Sequence, residues 1–143
     1  MKKKHYRAAG GVVVDAGKVL LLQRPSLNEV RLPKGHIDPG ESPPETACRE
    51  VTEESGYADL EILTDLGEQR VEFEDKGAHV TRDEYYFLMR LRSPQQIVRD
   101  PHEFQFTPVW VPWEEALETV TYKAEREWLK RAREALKKDD TGA

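Results

Sequence analysis

Glutamates crowd one short stretch of this chain. From Gly35 to Tyr57 the sequence reads GHIDPGESPPETACREVTEESGY, with Glu50, Glu53 and Glu54 three and four positions apart and Arg49 beside them. On a helix that spacing gathers the three carboxylates on one face. Like charges so placed repel each other, and a hard divalent cation among them would turn the repulsion into a binding site. Mg2+ takes oxygen ligands, keeps several waters and bridges carboxylates to phosphates; Mn2+ is the alternative ion. Glu45 and Glu53 flank Arg49 at four-residue spacing, so its guanidinium can steady carboxylates from the side. The chemistry this predicts is metal-assisted cleavage of a diphosphate linkage.

A helix must carry these groups, and the local sequence supplies one over about residues 43–55. Ser42 is a good N-cap, Pro43 falls at the first helical position, and Glu45 three residues after Ser42 completes a capping box. Gly56 suits the left-handed position past the C-terminus. Ala47, Cys48 and Val51 fall on the opposite side and are expected to pack on a sheet; Cys48 has no evident chemical partner. The preceding Leu32-Pro33-Lys34-Gly35-His36 is expected to be a loop whose Lys34 and His36 face phosphate. Arg24, Tyr85 and Tyr86 are further candidates for substrate binding.

The chain of 143 residues is long enough for one domain with a core, residues 1–143, and too short for two. Its net charge of −5 argues against broad nucleic-acid binding through a basic surface. A polyanionic small molecule must then be drawn in locally, by metal and a few cations. One cysteine excludes an internal disulfide. Met1-Lys2-Lys3-Lys4 is not followed by an apolar leader, and no run approaches a membrane span, so the expectation is a cytoplasmic protein with no membrane partner. Nothing in the sequence sets an oligomeric state.

Strands are expected at Tyr6–Val14 and Lys18–Arg24, joined as a hairpin through Asp15-Ala16-Gly17. Val19-Leu20-Leu21-Leu22 is apolar on both faces and reads as a central strand. Gly10-Gly11 marks a bulge, a close approach of ligand, or a packing need. Leu60–Phe73, Val80–Leu91 and Phe104–Val111 complete the strands. Tyr85 and Tyr86 are adjacent and must point to opposite faces, so one can pack inside while the other lines a cleft. Pro112-Trp113 opens a short helix. From Tyr122 to Lys138 a longer helix carries the stripe Ala124, Trp128, Leu129, Ala132, Leu136, with Asp139–Ala143 as a frayed tail. Strands, acidic helix, strands, helix: this order suggests an α/β protein with a mixed sheet between helices.

Gly35, Glu41, Arg49, Glu50, Val51, Glu53, Glu54 and Gly56 stand at the spacing of the Nudix box, and the segment closely resembles that signature, departing only at Tyr57, where an aliphatic residue is usual. The resemblance implies the Nudix α/β/α sandwich and a Mg2+-dependent hydrolase of nucleoside diphosphate-linked compounds. It implies that Glu50, Glu53 and Glu54 hold the metal with the carbonyl of Gly35, and that one of them accepts the proton of the attacking water. Glu103, in a late loop before Trp110-Val111-Pro112, is a further candidate ligand or base. Glu41 and Arg49 would orient the site. Leu32-Pro33-Lys34-Gly35-His36 and Pro39-Gly40-Glu41 look like the diadenosine polyphosphate hydrolase group, which implies cleavage of the tetra- to hexaphosphates with release of ATP from the tetraphosphate. RNA 5′-pyrophosphohydrolases resemble this group but usually carry Gln-Gly-Gly at residues 34–36. Nucleoside triphosphates, ADP-ribose and diphosphoinositol polyphosphates are the other substrate classes. A silent nucleotide-binding module would usually have lost a glutamate of the box, and none is lost here.

Overall fold

The computed structural model describes the backbone of residues 2–142 and the side chains of residues 2–138. In chain order it contains β1 (Lys2–Asp15), β2 (Lys18–Arg24), β3 (Glu29–Arg31), β4 (Lys34–His36), α1 (Pro43–Ser55), β5 (Leu60–Asp75), β6 (Ala78–Leu91), β7 (Thr107–Pro112), α2 (Trp113–Thr119) and α3 (Lys123–Gly142). One mixed sheet runs β3-β2-β1-β6-β5, with β4 added on β1 and β7 on β2. Only β1 and β6 pair in parallel among these strands; every other pairing is antiparallel.

Strand β1 organises the sheet. One edge pairs with β6 from Lys2 to Val14, while the other is shared, Ala8–Gly10 taking β4 and Val14–Asp15 taking β2. Its period-2 alternation feeds two cores. Val12 joins Leu21, Tyr86, Leu88, Trp128 and Ala132 beneath α3. Ala9 and Val13 join Leu20, Ala47, Val51, Phe87 and Met89 beneath α1. Leu20 and Leu21 thus serve opposite layers, as a strand apolar on both faces requires. The result is the α/β/α sandwich expected from the element order. Both long hairpins close through two-residue turns with positive φ at each central position, Ala16-Gly17 (49°, 78°) and Lys76-Gly77 (49°, 79°), matching the right-handed twist of their strands.

The acidic helix forms where the sequence places it. The Ser42–Glu45 capping box is complete on both sides, and Gly56 caps the other end at φ 87°. Gly10 and Gly11 answer a packing need. A Cβ on Gly10 would press on Pro33, Lys34 and Tyr86, and one on Gly11 would meet Val51 Cγ2 at 2.9 Å. Their bareness lets β4 and Tyr86 close on one face of β1 and α1 on the other.

Several expectations need correction. Residues 34–36 form a strand rather than a loop, because the bare backbone at Gly10 lets them pair with β1. The late strand starts at Thr107, since Asp100 caps a 3-10 turn, Pro101–Gln105, that takes up Phe104. Asp139–Gly142 continue α3 instead of fraying, and Ala143 lies outside the described residues. Among the described residues no helix is long and apolar enough to cross a membrane.

Candidate functional site

Arg49 is the hub of the acidic segment. Its Nε donates to Glu41 at 2.7 Å and Nη2 to the other Glu41 oxygen at 3.0 Å, a two-pronged grip. Nη1 donates to Glu50 at 2.9 Å and to Glu53 at 3.2 Å. Nη2 also reaches the His36 carbonyl at 3.1 Å, tying the 36–41 loop to α1. Glu41 accepts from Thr46 Oγ1 at 2.7 Å and from the Asp38 amide. Glu45, expected beside Arg49, is instead committed to capping Ser42.

The three box carboxylates occupy graded depths rather than one exposed patch. Glu54 is 5% exposed and accepts from the Lys34 amide at 2.9 Å. The Glu50 side chain is 15% exposed and that of Glu53 is 44% exposed. The grading follows from their partners: Arg49 draws Glu50 and Glu53 toward itself, while the backbone of β4 holds Glu54. Among the described residues no three acidic, His or Cys side chains converge into a ready-made ion cage.

The donor set nonetheless suits a divalent cation. It is all oxygen. Burial pushes the Glu50 carboxyl up to about 7 against the pull of Arg49, and the Glu54 carboxyl up to about 8 against that of Arg31. Glu53 and Glu103 add repulsion at Glu50, and Glu50 adds repulsion at Glu54. These are acidic groups that the chain leaves short of positive charge. Gly35 lies so close to the Glu50 carboxylate that a Cβ there would overlap it, so only glycine leaves room for that acid against the strand.

Gly35, Glu50, Glu54 and Glu103 open into one cleft of about 480 Å³ with Arg24, Arg31, Lys34, His36, Arg82, Tyr6 and Phe106. Larger hollows elsewhere, such as the one between β5 and α3, hold none of the box residues. Glu103 arrives on the 3-10 turn, where burial and then Glu53 raise its pKa. The cleft is bipolar, with carboxylates and arginines lining the same space.

Of the candidate substrate contacts, Tyr85 and Tyr86 do not line the cleft, and Lys34 lines it as a cation that already has a partner. Lys34 is 8% exposed and its Nζ donates to Glu125 on α3 at 3.3 Å. Burial lowers its pKa and Glu125 offsets only part of that, so Lys34 lines the cleft as a cation already paired with an acid of α3. Tyr86 is fully buried and stacks on Trp128 at 4.7 Å, so it packs in the core and does not line the cleft. Tyr85 points to the other face, beneath the Arg7 guanidinium, and does not line the cleft. His36 stays exposed at the mouth, its ring stacked on Tyr6 at 4.0 Å. Tyr57, the departure from the box, is accommodated by a hydrogen bond from Trp110 Nε1 at 3.0 Å. Cys48 is half-buried against the α1 core, and burial pushes its thiol up, away from reactivity.

Sequence reasoning missed Arg31, Arg82, Tyr6, Phe106 and the two buried acids behind them. Arg82 Nε donates to Glu84 at 2.8 Å and Nη1 to the Tyr6 hydroxyl at 3.2 Å. Glu125 also accepts from the Leu32 amide at 2.8 Å, so α3 grips the strand entering the site.

Glu41 offers a test of the Arg49 hub. The guanidinium, helped by Thr46, holds its carboxyl down to about 2, below an ordinary value of 4.5. A depressed folded-state pKa contributes stability above the ordinary value, and that contribution is lost as pH falls toward 2. Glu41→Gln should therefore lower the urea midpoint at pH 7, and the gap to wild type should close between about pH 4.5 and 2. A gap independent of pH would show that the charge of Glu41 does not hold the loop.

The sequence model of the family described as NUDIX domain matches residues 4–132. "Putative mutator protein MutT4" of Mycobacterium tuberculosis is 30% identical across 96% of this chain, and this chain spans 58% of that protein's length. RNA pyrophosphohydrolase of Nitratiruptor sp. is 32% identical over 76% of this chain and 74% of that one. The structure is similar to a binary complex of Ap4A hydrolase from C. elegans, with a TM-score of 0.70 and 30% identity over 92% of this chain and 97% of that one. With box, sandwich and cleft in one arrangement, the chain belongs to the Nudix family and is a hydrolase of phosphoanhydride bonds.

Proposed function

We propose that residues 1–143 act as a single Mg2+-dependent hydrolase domain, with Mn2+ as the alternative ion, that cleaves diadenosine polyphosphates of four to six phosphates and releases ATP from the tetraphosphate. The observation that carries this reading is the bipolar cleft, in which box carboxylates and arginines without an ion-pair partner among the described residues face one space of about 480 Å³. The likeness to an Ap4A hydrolase supports the substrate. Nudix hydrolases generally use divalent ions such as Mg2+.

Glu50, Glu53 and Glu54, with the Gly35 carbonyl, would hold the ion. When bound, the ion offsets phosphate charge and acidifies the attacking water. Glu103 or one of the box carboxylates takes the proton of that water, each being a carboxyl at or near the cleft. Arg49 and Glu41 orient the loop and the helix against each other. Arg24 and His36 neutralise phosphate charge as it builds up on the leaving group. A cytoplasmic nucleotide pool would supply such a substrate.

RNA 5′-pyrophosphohydrolysis is the second reading, favoured by the 32% identity to the Nitratiruptor enzyme. Against it stand the net charge of −5 and Lys34-Gly35-His36 in place of the usual Gln-Gly-Gly. A Mg2+-dependent screen over dinucleoside polyphosphates, nucleoside triphosphates, 5′-triphosphate RNA, ADP-ribose and diphosphoinositols, with products identified by mass, separates the two. Diadenosine tetraphosphate should give ATP and AMP at the highest kcat/KM. If the diadenosine compounds are the poorest substrates, the substrate assignment is wrong while the hydrolase stands.

A further inference from the structure

The cations of the cleft fall into two kinds. Lys34 is paired with Glu125 and Arg82 with Glu84. Arg24 and Arg31 have no ion-pair partner among the described residues, and their Nε atoms are shut from solvent without a hydrogen-bond acceptor. Both guanidiniums lie over the same ring, that of Phe106, at 5.8 and 5.1 Å from its centroid.

Strand register explains the pairing. Arg31 lies opposite Leu22, two residues before Arg24, so the arginines project from the same face of the β2–β3 hairpin as diagonal neighbours. Phe106 is 4% exposed and reaches them from the segment that also delivers Glu103. An aromatic face attracts guanidinium but accepts no in-plane hydrogen bond, so each Nε–H remains unsatisfied. A charged donor left unmatched in a closed place is costly, and Arg forks are shaped for phosphate oxygens.

We propose that Arg24 and Arg31, both seated over Phe106, form an anion subsite for the phosphates that are not being cleaved, so that the site selects a linear chain of three or more phosphates. This rests on the reading in which the carboxylate side of the cleft works on the scissile linkage. A diphosphate is used up at the carboxylates and has no further phosphate to offer. A longer chain continues along the cleft to the arginines. Arg24 and Arg31 line the same cleft of about 480 Å³ as Glu50 and Glu54, so the two sides lie within the reach of one polyphosphate.

The subsite needs no metal, so inorganic tripolyphosphate in EDTA isolates it. Isothermal titration should show tripolyphosphate binding to the wild-type chain, and Arg24→Gln/Arg31→Gln should bind at least about tenfold more weakly. Glu53→Gln should bind as the wild type does. Arg31→Lys, which keeps the charge and removes the fork, should also weaken binding and serves if the double variant does not fold. In Mg2+, the ratio of kcat/KM for diadenosine tetraphosphate over ADP-ribose should fall about tenfold in Arg31→Gln, mainly through KM. No tripolyphosphate binding in EDTA, equal binding by wild type and arginine variants, or an equal loss on both substrates would overturn the proposal. Tighter binding of inositol hexakisphosphate than of tripolyphosphate, through the same arginines, would overturn the linear chain. If Glu53→Gln keeps its turnover while the arginines still govern tripolyphosphate binding, the reading of the carboxylates fails and the subsite stands.

Discussion

Glu53→Gln should lose at least about a hundredfold in kcat while melting within about two degrees of the wild type. The separation of the two effects follows from where Glu53 sits. Its side chain is 44% exposed and its protein partner is Arg49, four residues earlier, at 3.2 Å. An exposed i, i+4 pair of this kind contributes only about 0.3–0.5 kcal/mol, so the fold should hardly register its loss. The amide keeps the shape and removes one negative charge from the group that would hold the ion or take the proton. Glu54→Gln makes the complementary case. That carboxylate is 5% exposed and its amide replacement can still accept from the Lys34 N–H. Replacing a buried acid, whose pKa burial pushes up to about 8, while keeping its hydrogen bond should leave the ion-free protein as stable as the wild type or more so, and still abolish turnover. The pair of results would mark these acids as kept for chemistry rather than for the fold. Activity in Glu53→Gln within a few-fold of wild type would remove Glu53 from the reaction.

Much of this was legible because it is written in local rules. Ser42, Pro43, Glu45 and Gly56 each answer a requirement of a helix end, so α1 could be placed at about residues 43–55, where it lies. Val19–Leu22 could be placed at the sheet centre because only a strand covered on both faces tolerates that run. The ends of the cleft were not local. Arg31 meets Arg24 only through the β2–β3 register, and Phe106 reaches them from a turn far along the chain. No spacing rule in a single sequence joins those positions.

The buried acids lie between these extremes. Position 125 falls three residues before Trp128, four before Leu129 and seven before Ala132, so a carboxylate there stands in the apolar face of α3. Position 84 alternates with Val80, Tyr86 and Leu88 and so points inward. A charge at a core position signals a buried partner. Taking the stripe from Ala124 rather than Glu125 hid the first, and treating Tyr85 and Tyr86 as the feature of β6 hid the second. Lys34 belongs with them: its counter-ion is Glu125, so its ammonium meets the cleft already paired.

Trp128→Ala should cost about 4 kcal/mol or more, close to the whole stability of a small domain. The indole is fully buried, stacks on Tyr86 at 4.7 Å and donates Nε1–H to Glu84 at 2.8 Å. Truncation therefore opens a cavity between α3 and the sheet and also strips a donor from a carboxylate that is 0% exposed. Trp128→Phe divides the two contributions. It keeps a ring against Tyr86 and removes the N–H, leaving Arg82 as the remaining donor to Glu84. That loss alone should cost about 1–3 kcal/mol. Trp128→Phe combined with Glu84→Met should cost less than the two single changes added together, because each removes one partner of the same hydrogen bond. Urea unfolding at pH 7 measures all four proteins. Were Trp128→Phe as stable as the wild type, the Trp128–Glu84 bond would contribute nothing, and the buried acid would have to be held by Arg82 alone.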